Sequence, residues 1–180
     1  MIGRSLRRLK ADTRGNAAAE MALVMPLLLI IMLGSVELGN YFLDEHVLVK
    51  AVRDGARYAA RQAFANYNGC TGTAADVPQT VKDNTKLIVR KGTLDSNDPD
   101  LLPNWSDGAT TFTVQMSCTS DPGGTHMGGI YSGSIVGTAD AAPVVIVTAS
   151  LPYRTVLGSL GFSGVGYALN ATQQASVTGL

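Results

Sequence analysis

From Met21 to Val36 the chain runs sixteen residues without a charged side chain, entered through a lone carboxylate at Glu20. As a helix rising about 1.5 Å per residue, this run covers about 24 Å, short of a hydrocarbon core of roughly 30 Å. Carried on through Leu43 it is long enough, and Glu37 and Asn40 then fall near the outer interface, three residues apart on one helical face. Residues 16–43 are therefore expected to cross a membrane as one helix. Pro26 sits inside the run. Its ring removes one backbone hydrogen bond and crowds the preceding turn, so a kink or a loosened turn is expected there.

The residues in front of this helix set its direction. Residues 1–15 hold Arg4, Arg7, Arg8, Lys10 and Arg14 against Asp12 alone. Basic residues beside an apolar run stay on the cytoplasmic side, so the carboxyl-terminal body is expected outside the cytoplasm. Past the leader, residues 16–180 keep nine basic and thirteen acidic side chains, a net −4. A mildly acidic body lacks the clustered cations that neutralise phosphates, which argues against nucleic acid as a partner. Two simpler readings of the same stretch are a secretory signal peptide and an uncleaved single-pass anchor. The first places small residues after the apolar run, whereas Ala17, Ala18 and Ala19 precede it. The second accounts for hydrophobicity and charge bias but gives no role to Gly15 and Glu20.

The order of basic leader, Gly15, four residues, Glu20 and apolar helix resembles the processing signal of type IV prepilin-like proteins. More narrowly, residues 14–60 resemble the TadE family of minor pseudopilins of the tight-adherence (Flp) pilus system. The matching pieces are RGNAAAEMALVMPLLL at Arg14–Leu29, Glu37 to Gly39, and AVRDGARYAA at Ala51–Ala60. The sequence departs from the pattern at Met21, where an aromatic is common, and at Asn16, where type IV pilins commonly have Phe. The resemblance implies a cut after Gly15 by a prepilin peptidase, with Asn16 as the new first residue and Glu20 as the fifth. It implies a single-pass protein of the inner membrane, with a periplasmic domain over residues 44–180. It also implies other pseudopilins and the pilus assembly platform as partners, in a pilus involved in surface attachment. Physically, the freed Asn16 amine and the Glu20 carboxylate lie one helical turn apart, and each is costly to leave unpaired in low dielectric.

Beyond the membrane the helical pattern continues from Asp44 to about Asn66. Ala51, Gly55, Ala59 and Ala63 recur every four residues, a small-residue stripe suited to close helix packing. Lys50, Arg53, Arg57 and Arg61 form a basic stripe on another face, read either as a solvated face or as a contact for an acidic partner. Residues 78–91 suit a short helix opened by Pro78 and closed by Gly92, with Val81, Thr85 and Ile88 on one side and Val89 beside them. Strands are expected at Thr110–Cys118, Pro143–Tyr153 and Tyr167–Thr178. The loops are expected at residues 67–77, 93–109 and 119–141. The fold class is thus α+β: a long amino-terminal transmembrane helix continuing into a small exported domain with a three-stranded or larger antiparallel sheet.

Two cysteines are present, Cys70 and Cys118. In an exported domain they are expected to pair, closing a long loop and contributing about 3–5 kcal/mol. No catalytic constellation stands out, and no cofactor or metal is expected. His46 and His126 lack ligand-type company, and Asp95, Asp98 and Asp100 lack the glycine and distal glutamate of a calcium loop. The chain is expected to be a structural assembly protein rather than an enzyme. A membrane-tethered binding module with an uncleaved anchor is the competing reading.

Overall fold

The computed structural model describes residues 14–67, 77–120, 129–131, 141–160 and 166–179. It is an α+β structure with the element order helix, helix, three strands. Helix α1 spans Arg14–Ala60, 47 residues, and runs unbroken through Pro26. It is shared by two compact units, one ending at Asn40 and one beginning at Tyr41.

In the first unit, the helix from Met21 to Val36 exposes its apolar side chains all round: Leu23, Leu27, Ile30 and Ile31 are each more than half exposed. Water is a poor medium for such a surface, and a bilayer is the natural one. It is the one helix among the described residues long and apolar enough to cross a membrane. The Ser35 hydroxyl donates to the Ile31 carbonyl at 2.8 Å, so this polar group in the apolar stretch is satisfied within its own helix.

The second unit is built on a three-stranded antiparallel sheet of β1 (Thr111–Ser120), β2 (Ala141–Pro152) and β3 (Ala168–Ser176), in that order across the sheet. The register runs one for one along both pairs, Thr111↔Ser150 to Ser120↔Ala141 and Val144↔Ser176 to Pro152↔Ala168, without a bulge. Alternation in the sequence sets the two faces. Val114 and Met116, Val145, Val147, Ala149 and Leu151, and Leu169 and Ala171 all point inward and are buried. Their neighbours Thr113, Gln115, Thr172 and Gln174 point outward and are exposed.

The inner face shares one core with the last turns of α1 and with helix α2 (Gln79–Lys91). From Leu48 onward α1 buries positions 48, 51, 52, 55, 56, 59 and 60, a stripe of helical period. Helix α2 buries Val81, Thr85 and Val89, while Ile88 is half-buried, so the buried stripe runs at four-residue steps. Pro78 opens α2, its carbonyl accepting from the Val81 and Lys82 amides at 3.0 and 3.1 Å. Gly92 closes it in the left-handed region at φ 79°, its amide donating to the Ile88 carbonyl at 2.8 Å.

Helix α1 ends at Ala60, not near Asn66. The Tyr58 and Ala59 carbonyls accept from the Arg61 and Gln62 amides at 3.2 and 3.1 Å, a tightened turn, and distant groups take further bonds at this end. The Ala60 carbonyl accepts from the Thr178 amide at 2.9 Å, and the Ala59 carbonyl accepts from the Tyr67 hydroxyl. A short 3-10 turn at Phe64–Tyr67 follows. The expected long loop at 93–109 is irregular but pinned. Leu102 and Trp105 are buried in the core, and Asn104 sits at φ 72° with its side-chain Nδ2 donating to the Pro152 carbonyl at 3.1 Å. Of the loop at 119–141, residues 129–131 form a 3-10 turn, with Tyr131 edge-on to Phe64 at 6.4 Å. Residues 121–128, which include His126, and residues 132–140 lie outside the described set.

Candidate assembly helix

Gly15 and Asn16 stand in the first turn of α1. Among the described residues, a Cβ built on Gly15 meets no atom within 4 Å outside its own helix backbone and chain neighbours. Glu20 is exposed, at the head of the exposed apolar surface. The leader residues 1–13 lie outside the described set. Glu20 stands in the second turn of α1, past the first turn where the helix dipole favours a carboxylate, so in a membrane its charge is expensive unless paired. At the other end of the stretch, Glu37 is half-buried and Gly39 has open space around it.

The folded unit takes hold of the helix at Tyr41, three residues before the expected boundary. The Tyr41 ring stands edge-on to Tyr153 at 5.2 Å, and its hydroxyl donates to the Ala168 carbonyl at 3.3 Å. Further along, Ala51, Gly55 and Ala59 are buried. At Gly55 α1 meets α2 closely: a Cβ there would lie 2.3 Å from Val89 Cγ2 and 3.4 Å from Thr85 Cγ2. Ala63, placed on the same stripe by its spacing, is exposed and past the end of the helix. The stripe therefore stops at Ala59, because the helix itself stops. At Gly55 its neighbour is α2 of the same chain.

Lys50, Arg53, Arg57 and Arg61 are all exposed. Arg57 lies 3.8 Å from Asp54 with both side chains about half in solvent, a pair that contributes little. Cys118, half-buried on the inner side of β1, is disulfide-bonded. Cys70, the partner expected for it, lies outside the described residues.

Ionisable groups of the second unit are committed to holding its loops. Arg90 donates to both oxygens of Asp100 at 2.6 and 2.7 Å, and Lys91 Nζ lies 3.2 Å from the same carboxylate. The Leu101 amide adds a bond to the Arg90 carbonyl at 2.8 Å. Asp95 accepts from the Asn97 amide at 2.9 Å, and Asp98 accepts from the Thr93 hydroxyl. Asp100 thus ties the loop back to the end of α2 while Asp95 and Asp98 hold turns within it, and among the described residues no group of His, Cys, Asp or Glu is arranged to hold a metal ion. Tyr67 is buried, and burial, with Tyr58 nearby, pushes its phenol up to about 12.

The Arg90 hydrogen bonds hold the Asp100 carboxyl below the ordinary carboxylate value, with Lys91 assisting. A carboxyl depressed in the folded state adds stability that is present above its unfolded pKa and is lost as pH falls toward the folded one. The expected outcome is a loss of stability below about pH 4 that Asp100→Asn largely removes. Because the pair is a quarter to a third exposed, the effect is at most about 1 kcal/mol. Urea unfolding at pH 3 and pH 7, followed by Trp105 fluorescence, measures it. An unchanged pH dependence in the variant sinks the assignment.

A family model described as TadE-like protein matches residues 15–57. No curated protein and no solved structure matches the chain. The match starts at Gly15, takes in Glu20 and the exposed apolar surface, and runs past Gly55 to Arg57. It agrees with the resemblance carried by the Gly15–Glu20 spacing, and it supports a Tad pilus-associated protein with a candidate membrane anchor. Over its amino-terminal helix, residues 15–57, the chain is TadE-like.

Proposed function

We propose that this chain is a minor pseudopilin, cut after Gly15 by a prepilin peptidase and needed for assembly of a tight-adherence pilus. The observation that carries the reading is the TadE-like match, which begins at the glycine of the proposed cut and includes Glu20. Glycine at the cut supports it, since a residue without a side chain lets a protease cleft close on the backbone there. So does the exposed apolar helix, which needs lipid or other helices around it. In this reading residues 17–43 stay in the inner membrane with the amino terminus cytoplasmic and the body periplasmic. Cleavage frees an amine on Asn16, and Glu20 of the same or a neighbouring copy pairs with it in low dielectric. Other pseudopilins and the assembly platform then meet the helix. The protein acts by packing.

The deciding measurement is the amino-terminal residue of the protein extracted from membranes, read by mass spectrometry. A chain beginning at Asn16 is the expected result. An intact Met1 start points instead to a membrane-tethered module with an uncleaved anchor, and a start beyond Ser35 points to a secretory signal peptide.

A further inference from the structure

The two edge strands of the sheet carry the same side chains at the same height. Through the register with β2, Thr113 and Thr172 both stand opposite Thr148, Gln115 and Gln174 opposite Ile146, and Ser117 and Ser176 opposite Val144. All six edge residues point to the outer face and are exposed. On the inner face the small Ala171 and Ala175 stand level with the large Phe112 and Met116 across the same β2 residues, Ala149 and Val145. Neither strand contains a charge, a proline or a glycine.

Edge strands of soluble domains are normally blunted by lysine, proline, a bulge or inward charges, because their free amides and carbonyls recruit further strands. Here both edges lack all four devices. Among the described residues no strand pairs with the outer side of β1 or β3. We propose that β3 of one copy pairs in parallel with β1 of a second copy, so that the sheet continues from chain to chain.

Three observations select this occupant. A side-by-side shift of the sheet brings Thr172 against the second copy's Thr113, Gln174 against its Gln115 and Ser176 against its Ser117. Like residues in register form hydroxyl and amide ladders, and a contact of this kind is already made within the chain, between the Thr148 and Thr172 hydroxyls at 3.1 Å. On the inner side, alanines of one edge meet the bulky side chains of the other, so the two edges fit in size. Finally, β1 and β3 run in the same direction, each being antiparallel to β2. A side-by-side shift with parallel pairing therefore gives every copy the same orientation. A two-fold pairing of β3 with β3 would instead set the two β3 strands antiparallel. The contact is head-to-tail and does not close, so it builds rows rather than pairs.

The test uses the full chain in its membrane, carrying Thr113→Cys and Thr172→Cys together. Within one chain these positions are two strand spacings apart, about 9–10 Å, too far for a disulfide. Between copies they would face each other. Mild oxidation is expected to give a ladder of dimers, trimers and higher species on a non-reducing gel, at least five-fold more than Thr148→Cys on the central strand gives. Adding Gln174→Lys, which plants a charge on the edge without touching the core, is expected to abolish the ladder. No ladder above the Thr148→Cys level overturns the proposal. So does efficient dimer formation by Thr172→Cys alone, which would mean symmetric β3 pairing, and so does cross-linking only to a different protein.

Discussion

Replacing Gly55 by valine is expected to destabilise the folded unit by about 3 kcal/mol, and by alanine about 1 kcal/mol net. The two figures come from opposing effects. A glycine in a helix interior costs about 1 kcal/mol relative to alanine, so on an open helix face Gly→Ala is stabilising. At Gly55 the new Cβ would lie 2.3 Å from Val89 Cγ2. Val89 is 1% exposed, and the Thr85 beside it is fully buried with its hydroxyl held by the Val81 carbonyl at 2.6 Å. Neither neighbour has room to swing away, so α1 and α2 must separate and open the core between them. Valine adds two more carbons to the same gap. Urea unfolding of the full chain in detergent, read from the single tryptophan, Trp105, gives the loss directly. The double variant Gly55→Ala with Val89→Ala is expected to be less unstable than the sum of the single changes, because removing Val89 Cγ2 makes the space the new Cβ needs. Gly39→Ala, with nothing within 4 Å of its Cβ, is the control and is expected to cost nothing. A Gly55→Ala chain as stable as the parent, with no coupling to Val89→Ala, would remove the close crossing from the account.

That crossing marks how far the sequence could be read. The four-residue spacing of Ala51, Gly55 and Ala59 announces a face for close approach, since small side chains at one helical position after another have little other use. It does not say what approaches, because Val89 and Thr85 belong to a different helix and only the tertiary fold brings them there. The three strands were legible for a similar reason. Alternation in TFTVQMSC and the branched run of PVVIVTASL are local signals, and the observed strands start and end within about three residues of them. What escaped depends on distant partners. The helix pattern runs on past Ala60, but the last turn tightens and Thr178 and Tyr67 take bonds at its end, leaving Ala63 in solvent. Leu102 and Trp105 sit in a polar, proline-containing stretch that has no periodicity, yet both are core residues; an isolated tryptophan in such a stretch is the one signal that pointed there. The likeness of β1 and β3 was present in the letters, but only the register through β2 aligns Thr113 with Thr172. The candidate processing signal is the opposite case. Gly15 and Glu20 are defined by spacing along one helix, so this motif is read from the sequence alone and the fold adds nothing to it.

For Gly15→Leu the expected result is a chain that keeps its leader, with processing reduced at least 50-fold. The proposed cut lies between Gly15 and Asn16, in the first helical turn, where the glycine carries no side chain. A peptidase that reads this bond must bring catalytic groups to the Gly15 carbonyl, and a reacting bond misplaced by even 1 Å can lose about 100-fold in rate. A branched side chain on that residue occupies the approach. Glu20→Gln separates this effect from assembly. It keeps the size and leaves Gly15 untouched, so the chain is expected to be cut normally and to begin at Asn16. It then has an amine without a carboxylate to meet it, and breaking such a pair in low dielectric costs about 3–5 kcal/mol. The expected outcome is a processed chain that stays in the membrane but no longer co-isolates with the pilus machinery. The two variants are compared by the intact mass of the extracted protein and by what is recovered with it. A Gly15→Leu chain that still begins at Asn16 rules out the glycine as the determinant of the cut. A Glu20→Gln chain that keeps its leader moves Glu20 from the pairing role to recognition by the peptidase. A Glu20→Gln chain that assembles as the parent does leaves the exposed apolar helix, from Met21 onward, as the part that holds the copies together.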